Sequence, residues 1–192
     1  MTASTVQSTA LLRGSKYFCI VLAPAAVLAV VLLLSGIRAG LPPAGTALLL
    51  AGLGVVPGIV FKGTKGFFRS RGLADHWRTD LVTVLMLAGT VICYLVPVPD
   101  PVPATAAALM IGNAGLAFFR RWLNVSAHVS VLTFGVLWTL AVFGSGFAWL
   151  LLLLPLMCFT RVSLREHTHA EVLAGTAWGL GTFGFWQVLQ LL

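Results

Sequence analysis

Charge is what this sequence has least of. Asp, Glu, Lys and Arg together make up 9% of its 192 residues, and only five residues are acidic. Water-soluble domains carry about 25% charged residues. With 59% hydrophobic residues, this chain lacks the polar side chains to cover a surface in water. Cysteine is also scarce. Cys19, Cys93 and Cys158 each lie in an apolar run, with no CxxC pair and no zinc or disulfide spacing, so they read as buried thiols. No HExxH occurs, and His167-x-His169 would point its rings to different sides of a helix, which disfavours a metal site. The net charge of +7 does not indicate nucleic acid, because no basic segment is interleaved with aromatics.

Long apolar runs are abundant. A transmembrane helix needs about 20 mainly apolar residues, and Tyr17 to Ile37 supplies them without a formal charge. Arg13 and Lys16 ahead of it resemble the start of a signal peptide. The run is long, however, and no A-x-A site closes it, so it reads as an uncleaved first span. Arg38, Gly40, Pro42 and Pro43 punctuate a turn, and a second run extends from Leu41 to Phe61. The stretch 62–80 is the most polar. Leu81 to Val96 forms a third span, and Pro97 to Pro103 cannot be helical because alternating prolines remove donors and force an extended chain. Ala104 to Phe119 is a fourth span. The 38 residues from Trp122 to Phe159 are too long for one crossing, and Gly144-Ser145-Gly146 divides them into a fifth and a sixth. Val172 to Leu192 is the seventh. The third and fourth stretches have a second reading as a re-entrant pair. The expected fold is therefore all-α: a polytopic transmembrane helical bundle of six or seven helices. Residues 1–16 form a polar N-terminal segment and 17–192 a single transmembrane domain.

Seven spans would put the N-terminus and the loops at 62–80, 120–126 and 160–171 on one face. That face collects Arg13, Lys16, Lys62, Lys65, Arg69, Arg71, Arg78, Arg120, Arg121, Arg161 and Arg165, which is 11 of the 12 basic residues; Arg38 alone lies opposite. The positive-inside rule makes the basic face cytoplasmic, in a protein of the cell membrane.

Three polar clusters share this face: Lys62 to Arg69, continuing through Asp75, His76 and Arg78; Asn124 to His128; and Thr160 to Glu171. Their chemistry suits a phosphate. Arg and Lys can hold its oxygens in charge-assisted hydrogen bonds, and two histidines can divide nucleophile and proton-donor roles. His167 and Glu171 are four apart, so a helix would set them on one face, the carboxylate holding one ring nitrogen protonated. Ser126 sits at the expected start of a helix, whose free N–H groups favour an anion. Arg120, Arg121, Trp77 and Trp122 read as interfacial anchors, and His169 as a headgroup-level residue.

At these positions the sequence resembles the type-2 phosphatidic acid phosphatase superfamily of membrane lipid phosphatases. That family's signature has three parts: a lysine and an arginine separated by six residues and followed by proline; a Pro-Ser-Gly-His; and a Ser-Arg, five residues, His, three residues, Asp. Arg161, His167 and Glu171 reproduce the third spacing, with Thr160 for Ser and Glu171 for Asp, and Leu173-Ala174-Gly175 continues it in a family-like way. Val125-Ser126-Ala127-His128 looks like the second without its Pro and Gly. Lys62 and Arg69 have the first spacing, with Ser70 in the proline's place; Arg71-Gly72-x-x-Asp75-His76 is similar to a variant first region of actinobacterial-type members.

The resemblance implies a hydrolase of prenyl or glyceryl lipid phosphates or diphosphates that needs no metal or cofactor, with membrane lipids and the lipid phosphate as its partners. It assigns His167 as the nucleophile that forms a phosphohistidine, Glu171 as its orienting group and His128 as the acid that protonates the leaving alcohol. Arg161, Ser126, the Ala127 amide, Lys62 and Arg69 would bind the phosphate. Two other expectations stand beside it: a relative that binds or transports lipid phosphates without turnover, and a phosphotransferase using the same nucleophile. Oligomeric state is left open.

Overall fold

The computed structural model describes residues 3–74 and 76–191, and among them every regular element is helical. Helix α1 (Ala3–Val21) passes through Arg13 and Lys16, so the chain crosses residue 16 without a break. The first span is not one straight helix. It breaks at Leu22–Ala23, and α2 (Pro24–Arg38) leaves at a 40° bend. Pro24 has no N–H for the Ile20 carbonyl, and the Ala23 amide turns to that carbonyl instead, at 3.3 Å.

After the turn at Gly40, a single 28-residue helical stretch runs from Pro43 to Ser70. It comprises α3 (Pro43–Leu50), a π-helical turn (Ala51–Val55), α4 (Val56–Gly63) and α5 (Lys65–Ser70). Pro57, which cannot bond to the residue-53 carbonyl, stands two residues past the π turn, where the ladder is already loosened. Lys62, Lys65 and Arg69 consequently ride on a helix, where the sequence suggested a loop.

Helix α6 (His76–Leu95) and α7 (Val102–Phe119) pack along each other. The proline-rich connection ends sooner than expected. Val102 and Pro103 belong to the first turn of α7, where a proline's missing N–H costs nothing. Helix α8 (Ala127–Phe143) stops at Gly144, whose φ of 92° suits glycine. A 3₁₀ segment (Ser145–Leu152) then leads into α9 (Leu153–Ser163), and α10 (His169–Leu189) completes the described chain.

By length and composition four helical stretches can cross a membrane: Pro43–Ser70, Trp77–Leu95, Val102–Phe119 and Ser145–Ser163; the bent α1–α2 pair makes five. Helix α8, at 17 residues, is a shorter apolar helix, and α10 is not among the candidates. Its glycines, threonines and polar first turn dilute its hydropathy. Helix length alone therefore supports four or five crossings, short of the six or seven expected.

Helix α7 forms the centre. Its residues Val102 to Leu109 are all buried, whereas Pro43–Ser70 and Ser145–Ser163 show most of their surface. Large apolar side chains such as Leu48, Ile59, Val84, Leu152 and Phe159 face outward, as lipid requires. Several polar groups inside find each other. The Trp138 and Trp186 indoles both donate to the Thr105 hydroxyl, at 3.0 and 3.2 Å, and the Asn113 amide donates to Thr83 at 2.7 Å.

The closest packing beside the polar clusters joins α8 and α10. A Cβ at Gly175 would lie 2.8 Å from the Ser126 carbonyl, and one at Gly179 would lie 2.5 Å from the Ser130 carbonyl. The matching steps of four, 126 to 130 and 175 to 179, mean that the two helices run parallel. Two helix N-termini, each with a partial positive charge, thus end side by side.

Candidate active site

Ser126 is the N-cap of α8, with φ −71° and ψ 106°. An N-cap serine normally accepts from an amide of the first turn. Ser126 does not: its side chain is fully buried and its hydroxyl has no partner. Its own amide donates across to the Glu171 carbonyl at 3.3 Å, which ties the two helix starts together. Ala127 and His128 follow in the first turn, where amides have no intrahelical acceptor.

Arg161 ends α9. It is buried, it forms an ion pair through Nη1 with Glu166, and its Nε has no partner. From there the chain turns tightly. Arg165 takes a left-handed φ of 54°, and the amides of Glu166 and His167 both donate to the Arg161 carbonyl, at 3.2 and 3.4 Å.

Helix α10 begins with a capping box. The Thr168 hydroxyl accepts from the Glu171 amide at 3.3 Å, and the Thr168 amide donates to Glu171 Oε2 at 2.8 Å. The same Oε2 lies 3.3 Å from His167 Nδ1. This corrects how the pair arises. His167 precedes the helix, so the carboxylate reaches it through the cap and not along one helical face. Glu171 has a structural task, closing the capping box. The Thr168 amide, followed by the His167 ring, holds its carboxyl below the ordinary carboxylate range. The His167 side chain is 8% exposed, and with Nδ1 committed to Glu171 its other nitrogen, Nε2, is the one left to react.

His128, half-buried, is within electrostatic reach of Arg161, Glu166 and His167 and lies against the backbone of Cys19 in α1. The Cys19 thiol in turn donates to the Thr160 hydroxyl at 3.6 Å. Between α1 and α9 a cleft of about 490 Å³ opens, lined by Leu11, Gly14, Phe18, Leu156, Phe159 and Thr160; Thr160 is the neighbour of Arg161.

Ser126, Ala127, His128, Arg161, His167 and Glu171 thus lie together where three helix ends adjoin. Lys62 and Arg69 sit on other elements. They are exposed on α4 and α5, and α4 packs mainly on α6 and the π turn. The basic residue that is buried in that region is Arg78, which donates Nε to the Phe61 carbonyl at 3.2 Å and stacks on the Phe61 ring, fastening α6 to α4. Asp75 and the His76 side chain lie outside the described residues. Arg120, Arg121 and Trp122 are exposed beyond α7, and His169 is exposed at the start of α10.

Glu166 and Cys19 had no role in the sequence reading. Glu166 stood inside a cluster read for its histidines, and only the turn at Arg165 folds it back onto Arg161. Nothing in the local sequence of α1 signals that it approaches His128. Among the described residues no three His, Cys, Asp or Glu side chains are grouped as a metal site. Compared with protein-family models, curated proteins and solved structures, the chain matches none.

Proposed function

We propose that this chain is an integral membrane phosphatase that hydrolyses a lipid phosphate, prenyl or glyceryl, through a phosphohistidine on His167, as in the type-2 phosphatidic acid phosphatases it resembles. The observation that carries the reading is the pair of buried, unpartnered groups, Ser126 Oγ and Arg161 Nε, flanking the His167–Glu171 pair where two helix N-termini meet. The hydroxyls of Ser35, Thr90 and Thr133 are also buried without partners, so it is their place beside the His167–Glu171 pair that sets these two groups apart. Helix N-termini and a guanidinium suit an anion as their ligand.

In this mechanism Arg161, Ser126 and the Ala127 amide hold the phosphate oxygens. The His167 Nε2 lone pair attacks phosphorus while the bond to the lipid oxygen breaks, and His128 delivers a proton to that oxygen. Glu171 stabilises the imidazolium that forms. Water then attacks the phosphohistidine and gives its proton to His128, and inorganic phosphate leaves. The lipid tail occupies the apolar cleft between α1 and α9. The helices make seven crossings, counting α1–α2, Pro43–Ser70, α6, α7, α8, the 3₁₀ segment with α9, and α10, with the site on the cytoplasmic face of the cell membrane.

A second reading, a lipid-phosphate binder without turnover, draws support from Lys62 and Arg69, which are exposed on α4 and α5 and not on the helices that carry the other candidate residues. Purified protein given a long-chain lipid phosphate decides between them. Inorganic phosphate should be released, and His167→Ala should slow release by at least about 10³-fold, while His169→Ala changes it little. Absent release by the folded native chain, or release that survives His167→Ala and is lost in His169→Ala, would sink the phosphatase reading.

A further inference from the structure

The phosphate site already holds an anion of the chain's own. Arg161 is its one buried cation, and the guanidinium's Nη1 is occupied by the Glu166 carboxylate while Nε is left unpartnered. The contact is built and not incidental. The left-handed Arg165 and the two amide bonds to the Arg161 carbonyl fold the turn so that Glu166 faces back onto the arginine. The partners differ in burial: the Arg161 side chain is 10% exposed and that of Glu166 is 48% exposed. A carboxylate half in water can swing away at little desolvation cost, whereas the guanidinium cannot follow it. The other ionisable groups facing this spot are His128 on α8 and His167 with Glu171 at the start of α10.

We propose that Glu166 is a specificity-determining residue that acts as the site's resident anion, covering Arg161 until a phosphate displaces it. The inference rests on the phosphate-site reading above. Displacement adds the same cost to every entering anion. A phosphate carried on an apolar tail offsets it in the α1–α9 cleft, and a free phosphate has no such contact. Glu166 therefore keeps inorganic phosphate, the product, weakly held and speeds its departure.

The test uses the full chain in detergent with inorganic phosphate as the probe, read as inhibition of hydrolysis and as a thermal shift on binding. A half-exposed ion pair is worth up to about 1 kcal/mol, so Glu166→Gln should bind inorganic phosphate about fivefold more tightly. Product inhibition should strengthen by the same factor. Glu166→Ala should behave likewise, and Glu166→Asp should stay near the native chain. A Glu166 that merely braces Arg161 or the turn gives the opposite sign. Equal or weaker phosphate binding in both the Gln and Ala variants, with hydrolysis by the native chain intact, overturns the proposal. If the native chain and both variants neither bind phosphate nor hydrolyse the lipid, the site reading beneath it falls instead.

Discussion

Replacing Gly179 by alanine adds one methyl group at the tightest point of the α8–α10 contact. Its Cβ would sit 2.5 Å from the Ser130 carbonyl oxygen, 2.6 Å from Thr133 Cβ and 3.1 Å from Thr133 Cγ2. Ordinary carbon contacts begin near 3.5 Å, so the helices must part by about 1 Å. The obstacles are backbone and a β-branched side chain, neither of which swings aside. Overpacking of this kind costs about 1–3 kcal/mol. Gly181, two residues on, is exposed with nothing within 4 Å. Alanine there should stabilise the helix by about 0.5–1 kcal/mol. The two variants, identical in composition, should therefore differ on the order of 10 °C in unfolding temperature. Labelling of the buried thiols of Cys19 and Cys93 during heating at a fixed scan rate measures this in detergent. The same separation moves Ser126 relative to Glu171, and a 1 Å displacement of binding groups can lower turnover by about 10²-fold. Equal unfolding temperatures and equal rates for Gly179→Ala and Gly181→Ala would refute the claim that this contact sets the site.

Two further expectations follow from the cap and from the charge distribution. Glu171 has a folded pKa below its unfolded value, so its contribution to stability is complete above the unfolded pKa, near the usual 4.3, and disappears as pH falls through the lower folded value. Glu171→Gln should flatten that acid limb in thermal unfolding against pH, and an unchanged limb would mean the capping carboxylate is not its source. For sidedness, single cysteines at Gly72 and Asp100 should be labelled from opposite sides of sealed vesicles, Gly72 from the cytoplasmic one; labelling of both from one side ends the seven-crossing reading.

The helical character of this chain was legible because lipid leaves little choice. Long uncharged runs must satisfy their backbone internally, and a run such as Ala104 to Phe119 has only one way to do so. Breaks were legible where a residue forces them, as at Gly144, whose positive φ follows from the Gly-Ser-Gly signal. Continuity across polar residues was not. Charge density marked 62–80 as a loop, yet the helix continues to Ser70, since lysine and arginine are good helix formers and need only an end in water. The bend at Pro24 was hidden for the reverse reason: its apolar surroundings kept the hydropathy high across a broken ladder.

The site divides along the same line. His167 and Glu171 could be paired from sequence because their relation is local, four residues apart within one cap, even though the geometry proved to be a capping box and not a shared face. Ser126 and Arg161 could be nominated by residue type, but that both are buried with an unpartnered atom could not be read from the sequence, since Ser126 is enclosed only where Gly175 and Gly179 draw α10 against α8. Lys62 and Arg69 show the limit of a spacing argument. In a stretch with five basic residues some pair will stand seven apart, and a match made by abundance says nothing about where the helix beneath it is packed. The positive charge at the site therefore rests on Arg161 and two helix ends. With so little charge there, the one carboxylate paired to Arg161, Glu166, would weigh heavily on any phosphate that the proposed site holds.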